Sequence, residues 1–525
     1  MGLYIDKGNM GFREARRGEY VDKSGLIRVI NGTLGTTYKF SCVSRARRFG
    51  KSMAAQMLMA YYDRSCDSRE LFQDLEIASD PSFEEHLNKY PVIYLDMTRF
   101  ISLYKNDPTI ISHIKEELTE DIAGTFSNAV PYNGEDLMRY LQLIAAATGE
   151  RFIFIIDEWD AICREFDPKT KAMDEYVDWL RNMFKGQEAT DVFAGVYMTG
   201  ILPIKKYDTQ SALNNFREYS MVEPRKMASF FGFTHDEVLA LAQKHGMDFS
   251  ELEKWYDGYQ MGAQSSMFNP NSVMEAISSE WCESYWGRTA SYDTVATYIK
   301  MNYEGLEDDI ISMLAGQRVT VDVTNFLNDL HEVTSRDDVL TVLIHLGYLS
   351  YDRVKRQCYL PNREVSLEME KAVRKNNWKP VIGAIETSER LLDALLRGDA
   401  EAVARGVETV HQENVSLFKY NDENSMACVI SLAFYSARND FHVHREYQTG
   451  RGYADLVLIP RKNVTKPAVV IELKYDNTVD TAISQIKQQH YPDKVAEYSG
   501  EMLLVGISYN RKAKTHTCQI EHLNI

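Results

Sequence analysis

Two sets of residues in this sequence have the types and spacing to do chemistry. The first pairs "SRARRFGKS" (44–52) with "FIFIIDEWD" (152–160). Gly50-Lys51-Ser52 is how a phosphate-binding loop ends: backbone N–H groups at a helix N-terminus hold phosphate, Lys51 reaches the β/γ oxygens, and Ser52 holds magnesium. Where the common pattern wants its first glycine stands Arg45, followed by Arg47 and Arg48. "FIFIID" is an apolar strand ending in Asp157-Glu158. An Asp there orients Mg²⁺ and the next Glu polarises an attacking water. A chance tripeptide would explain Gly-Lys-Ser alone, and a helix cap Asp-Glu alone. Their order on strands of one sheet favours a nucleotide site.

The second set is Asp455, Glu472 and Lys474, within "GRGYADLVLIPRKNVTKPAVVIELKYD" (450–476). If "ADLVLI" and "AVVIELK" form an antiparallel hairpin centred between Asn463 and Val464, Asp455 lies opposite Glu472 on one face, and Lys474, two residues on, shares it. Two carboxylates and an amine on one sheet face make a Mg²⁺ or Mn²⁺ site for phosphodiester hydrolysis: the acids hold the metal, and the lysine positions water or neutralises phosphate charge. A surface ion pair is the alternative, but Glu472 sits in the otherwise apolar run "AVVIELKY".

The elements that must position these residues read as α/β at both ends. "YKFSCV" (38–43), "PVIYLDM" (91–97), "RFIFIID" (151–157) and "VFAGVYMTG" (192–200) are apolar runs of strand length without alternation, as in a parallel sheet buried on both faces. "SMAAQMLMAYY" (52–62) is helical. From about 230 helices dominate, beginning with the Thr-capped "THDEVLALAQKHG", and "VLTVLIHLGYLSYDRVKRQCYLPNREV" (339–365) reads as a helix followed by a hairpin, a winged-helix-like end. More helices from about 380 lead to a final α/β segment, 420–525. The expected division is an ATPase core over 1–228, a helical lid and middle region over 229–375, and a nuclease-like domain over 376–525.

Bulk properties agree. A chain of 525 residues exceeds one core. The first residues lack an apolar signal core, and no run is long enough to span a bilayer. Seven scattered cysteines without metal-ligand spacing fit a reduced, cytoplasmic chain. The net charge of −17 argues against a protein coated in nucleic acid but leaves room for a local basic groove.

The motifs "YVDKSGLI" (20–27), "SRARRFGKS" (44–52), "FIIDEWD" (154–160), "MTGILPI" (198–204), "WYDGY" (255–259), "FNPNS" (268–272) and "LPNREV" (360–365) resemble those of the AAA-ATPase-like proteins of bacteria and archaea that carry a C-terminal PD-(D/E)XK nuclease domain. The resemblance covers most of the chain. That family's loop usually reads Arg-Pro-Arg-Arg-Phe-Gly-Lys-Ser, so Arg45 is the family's own departure and only Ala46 is peculiar here. The resemblance implies ATP held by Gly50, Lys51, Ser52 and Asp157, and Thr199 as a sensor for the terminal phosphate, with a Thr that merely ends a strand as the alternative. It makes Arg47, Arg48 and Arg217 candidate phosphate or inter-subunit arginines, with a solvated surface the preferred reading for Arg217. It gives Tyr256 and Asp257 no chemical role beyond packing and turn formation. Asp455, Glu472 and Lys474 match the nuclease core, with Glu423 and Gln485 as its supporting acid and amide. His442, His444 and His490 read as ordinary polar or DNA-facing residues.

The function expected is an ATP-regulated, Mg²⁺-dependent nuclease acting on DNA. The alternative is an NTP-dependent switch that binds nucleic acid or protein, its nuclease fold a non-cleaving platform. DNA against RNA, end against internal cleavage, and monomer against homo-oligomer stay open.

Overall fold

The computed structural model describes residues 2–166, 170–204, 206–207, 210–211, 213–288, 292–376, 378–413, 423–449, 452–461, 464–488 and 501–524. Two compact units divide it. One comprises Met1–Ser291 with Thr320–Leu367, the other Tyr292–Val319 with Glu368–Ile525. The 229–375 segment, expected as one region, is thus shared between them.

The first unit is built on a five-stranded sheet. Its principal strands are β1 (Phe40–Ser44), β2 (Val92–Asp96), β3 (Phe152–Asp157) and β4 (Phe193–Gly200), with the short β5 (Arg217–Tyr219) at one edge. The spatial order is β2-β3-β4-β1-β5, and every pairing is parallel. The unbroken apolar runs have the cause expected of them, because alternate residues enter two different cores. Ile93, Leu95, Phe154 and Ile156 pack on one face, and Val92, Tyr94, Ile153 and Ile155 on the other. Helix α1 (Lys51–Tyr62) leaves β1, and the short α2 (Ala161–Glu165) leaves β3. All functional strand ends therefore meet at the carboxyl edge of one parallel sheet, where such folds place ligands.

Beyond the sheet this unit continues through α3 (His235–His245), α4 (Phe249–Tyr256) and α5 (Pro270–Ser279). Thr234 caps α3 with a capping box closed by Glu237, as the Thr start implied. The helix-plus-hairpin reading also holds: α6 (Arg336–Leu346) precedes β6 (Ser350–Asp352) and β7 (Gln357–Tyr359). "WYDGY" and "LPNREV" acquire physical reasons here. Gly258 has φ +100°, and a Cβ on it would lie 1.9 Å from the Pro361 carbonyl oxygen. Asn362 donates to the Asp257 carbonyl at 2.8 Å. The buried Glu364 carboxylate accepts from the Tyr285 and Trp286 amides at 2.7 and 2.8 Å. Gly258→Ala is expected to destabilise this unit by roughly 1–3 kcal/mol through overpacking, with about 1 kcal/mol more from the left-handed backbone. A lowered chemical-denaturation midpoint checks this.

In the second unit α7 (Glu423–Ala433) precedes a five-stranded mixed sheet. Its strands are β8 (Phe441–Thr449), β9 (Gly452–Pro460), β10 (Ala468–Tyr475), β11 (Glu501–Asn510) and β12 (Thr515–Asn524), with α8 (Val479–Gln488) between β10 and β11. The spatial order follows the chain; β10 and β11 pair in parallel and the rest antiparallel. The Met426, Val429, Ile430 and Ala433 stripe of α7 is fully buried. None of the six described cysteines is in a disulfide, and no helix among the described residues is long and apolar enough to cross a membrane.

Candidate functional site

The loop after β1 closes a cleft of about 600 Å³ whose floor is Gly50, Lys51 and Ser52 and whose far wall is Asp157, Glu158 and Arg164. Arg47 and Arg48 stand exposed at its rim. Arg45 does not face it. Its side chain is fully buried, donates to the Ser44 and Tyr219 carbonyls at 2.9 and 2.7 Å, and stacks near Phe231. Burial without a carboxylate pushes its guanidinium down to about 9. So the residue in place of the first glycine ties the loop base to the end of β5, and Arg47 and Arg48 are the loop arginines that reach the cleft.

Lys51 is 4 % exposed; its Nζ donates to the Ala46 carbonyl at 3.1 Å and pairs with Glu158 Oε1 at 3.5 Å. The loop-and-helix start thus aims an ammonium at the acidic end of β3. There Asp157 is buried, accepts from the Thr199 hydroxyl and the Glu158 amide, and lies 3.3 Å from the Tyr94 hydroxyl. Burial pushes its carboxyl up, while hydrogen bonds from Thr199 and Ser52 pull it back. The Ser52 contact brings together the two oxygen donors expected to hold magnesium, and a hydroxyl with a carboxylate beside phosphate is the hard-oxygen chemistry that ion takes. Thr199, expected as a sensor for the terminal phosphate, stands behind that acid. It is fully buried and does not line the cleft, because its hydroxyl is spent on Asp157 and on accepting the Glu158 amide at 3.3 Å. Its hydroxyl braces the Asp157 carboxylate.

Glu158 adopts φ +52°, which turns it off the strand. Burial pushes its carboxyl up, but Lys51 and Arg164 outweigh that and hold it below its ordinary value. Arg217 stacks on Tyr38 at 3.6 Å, away from the cleft.

Sequence reasoning missed three features. Arg164 joins Glu158 and Asp160; the only signal was its spacing four residues after Asp160 on one short helix. Asp160 is fully buried and accepts the Ile201 and Leu202 amides at 3.1 and 2.8 Å, so the last letter of "DEWD" clamps the end of β4. The third is an apolar slot of about 220 Å³ lined by Tyr20, Phe49, Met53, Met57, Phe233 and Met274. It shares Gly50, Met53 and Asn271 with the cleft. Tyr259 of "WYDGY" packs edge-on against Phe49 of the loop at 5.0 Å, and the Phe49 carbonyl accepts from Gly232 at 3.2 Å. These contacts join the loop to the helical segment after 230.

In the second unit the hairpin register is the one expected. Leu456, Val457 and Leu458 pair with Ile471, Val470 and Val469, a register that, carried one residue further, would set Asp455 opposite Glu472. Asn463, at the expected turn, lies outside the described residues, as does His490. Asp455 Oδ2 accepts the Leu473 amide at 2.8 Å, which fixes the carboxylate against β10. Glu472 is 2 % exposed; its Oε1 accepts from Lys474 Nζ at 3.1 Å and from the Gln485 amide. Gln485 reaches it because β11 carries Gly506 in register with Glu472. A Cβ on Gly506 would lie 2.9 Å from the Val479 carbonyl of α8, so only glycine lets that helix come so close. Glu423 opens α7, and its side chain is outside what is described. Among the described residues no cluster of three or more His, Cys, Asp or Glu side chains is set to hold a metal. Asp455 and Glu472 offer carboxylate oxygens suited to Mg²⁺ or Mn²⁺. His442 and His444 lie on β8, opposite Ile459 and Val457.

Residues 8–210 match the family described as predicted AAA-ATPase, and residues 421–518 match the PD-(D/E)XK nuclease superfamily. The protein therefore joins an AAA-ATPase-like domain to a C-terminal PD-(D/E)XK nuclease superfamily domain. An uncharacterized protein in the vnfD 5' region of Azotobacter chroococcum mcd 1 is 22% identical over 546 residues, spanning 97% of this chain and 96% of that protein. Among solved structures, the Aeropyrum pernix ORC2 protein in its ADPNP–ADP complexes is similar with 13% identity and a TM-score of 0.31, over 69% of this chain and 96% of that one. The Aeropyrum pernix ORC1 protein in complex with DNA has 12% identity and a TM-score of 0.24, over 72% and 98%.

Proposed function

We propose that this protein is an ATP-regulated, Mg²⁺-dependent nuclease that hydrolyses phosphodiester bonds of DNA. The observation that carries the reading is the β9–β10 register, which brings Asp455 and Glu472 toward facing positions, with Asp455 braced on the Leu473 amide and Lys474 paired to Glu472. A divalent cation held by such carboxylates lowers the pKa of a bound water and neutralises phosphate charge. Asp455 and Glu472 would hold it, each already braced by a neighbouring donor. Lys474 would then exchange its bond to Glu472 for one to the scissile phosphate or to water, and Gln485 would keep Glu472 oriented.

The regulatory half rests on the cleft. Backbone amides at the start of α1 and the Lys51 ammonium would take the phosphates, with Arg47 and Arg48 at the rim. Ser52 and Asp157 would hold magnesium, and Glu158 would accept a proton from the attacking water. The apolar slot beside Met53 has the character and size for a nucleobase. Because that slot draws Phe233 and Met274 toward the loop, nucleotide is expected to slow amide exchange across residues 230–270. Unchanged exchange with a tightly bound ATP analogue would count against closure.

The test of the function is a cleavage assay on linear, circular and single-stranded DNA and on RNA, with and without Mg²⁺ and ATP. Metal-dependent cleavage of DNA that responds to ATP supports the reading; intact substrates throughout would leave the non-cleaving switch as the better account.

A further inference from the structure

Glu158 does not stand alone over the cleft. Arg164, on α2, is 8 % exposed and donates from Nη2 to Glu158 Oε2 at 2.7 Å and from Nε to Asp160 Oδ2 at 3.1 Å. Asp160 is itself pinned by two backbone amides at the end of β4. A rigid relay therefore runs from the sheet through Asp160 and Arg164 to one oxygen of Glu158, while Lys51 occupies the other. The two grips differ in what can release them. Lys51 belongs to the phosphate loop, and a polyphosphate offers it several charged oxygens in place of one carboxylate. Arg164 is anchored from behind in a buried fork geometry that a planar guanidinium suits and an ammonium does not.

We propose that Arg164 is a positioning residue for nucleotide hydrolysis: it holds Glu158 by Oε2 so that Oε1, once Lys51 turns to phosphate, is aimed at water. This rests on the reading of the cleft as a nucleoside triphosphate site. In the step concerned, the water oxygen attacks the terminal phosphorus and its proton passes to Glu158 Oε1. The bond from that phosphorus to the bridging oxygen breaks, and its electron pair leaves on the nucleoside diphosphate. In this role Arg164 acts through Glu158 and not on water or phosphate; without it the carboxylate loses its direction and one of the cations that hold its pKa down.

The test is steady-state ATP hydrolysis, with nucleotide affinity measured separately by a fluorescent ATP analogue in the presence of Mg²⁺. Arg164→Ala is expected to lower kcat about tenfold or more, part of the ~10²–10⁴-fold that a general base supplies, while KM and Kd stay within about threefold. Arg164→Lys restores a cation that cannot span both carboxylates, so it recovers only part of kcat. Arg164→Gln, which keeps a donor beside Asp160 without charge, is the variant to use if Arg164→Ala does not fold, and its kcat is expected to fall as far. A folded Arg164→Ala or Arg164→Gln with wild-type kcat overturns the proposal. So does a loss confined to Kd, which would place Arg164 on the phosphates. Wild-type protein that binds no nucleotide refutes the reading of the cleft itself; wild-type binding without turnover overturns the role of Arg164 and leaves the cleft standing as a nucleotide site.

Discussion

Lys51→Ala is expected to weaken nucleotide binding sharply while leaving the chain folded. The ammonium is almost wholly buried, yet its partners are one loop carbonyl and Glu158, which keeps Arg164 when Lys51 is gone. No buried charge is stranded, so the fold should tolerate the change. What is lost is the cation aimed at phosphate. A hydrogen bond to a charged group contributes about 1.5–3 kcal/mol, which is roughly 10- to 150-fold in Kd. Calorimetric titration with ATP and Mg²⁺ reads this directly. Glu158→Gln separates binding from turnover: Kd should hold while hydrolysis falls by about 10²–10⁴-fold, since only the proton acceptor is lost. Equal affinity in wild type and Lys51→Ala would remove the loop from the site.

Loss of either carboxylate in the second unit should have the larger consequence. Asp455→Ala and Glu472→Ala each take away a metal-binding acid, and cleavage is expected to fall to the level of protein in excess EDTA. Glu472 is buried among apolar neighbours and accepts two donors, so Glu472→Gln, which keeps its volume, is the cleaner variant. Lys474→Ala should keep metal binding and lose about 10²–10³-fold in cleavage rate, the scale of removing one preorganised charge-stabilising group. Mn²⁺ affinity measured beside cleavage separates the two roles. Gln485→Ala and Glu423→Ala should act less, as supporting residues. A Lys474→Ala variant that loses metal would reverse the assignment.

Much of this was legible from local pattern. A strand, a Gly-Lys-Ser loop and a helix declare themselves by composition, and the register of β9 against β10 follows from the period of two and the position of the turn. What stayed hidden depends on contacts between distant segments. Nothing local says that Arg45 turns inward to the Tyr219 carbonyl while Arg47 and Arg48 turn out. Nor does it say that Thr199 spends its hydroxyl on Asp157. "WYDGY" has no local rationale, because Gly258 packs against Pro361, more than a hundred positions away in the chain. The same long-range packing groups 320–367 with the parallel sheet, across the region expected to be continuous from 229 to 375. Arg164 was readable only as one more charged residue on a short helix, because its meaning lies in Asp160 being locked to β4.

The most direct test is the rate of plasmid cleavage by wild type and Asp455→Asn side by side, in Mg²⁺ with and without ATP, with Lys51→Ala as a third protein. The account predicts cleavage by wild type, background for Asp455→Asn, and for Lys51→Ala a rate that no longer responds to ATP. Cleavage that survives Asp455→Asn, or none by wild type in any nucleotide state, would contradict it.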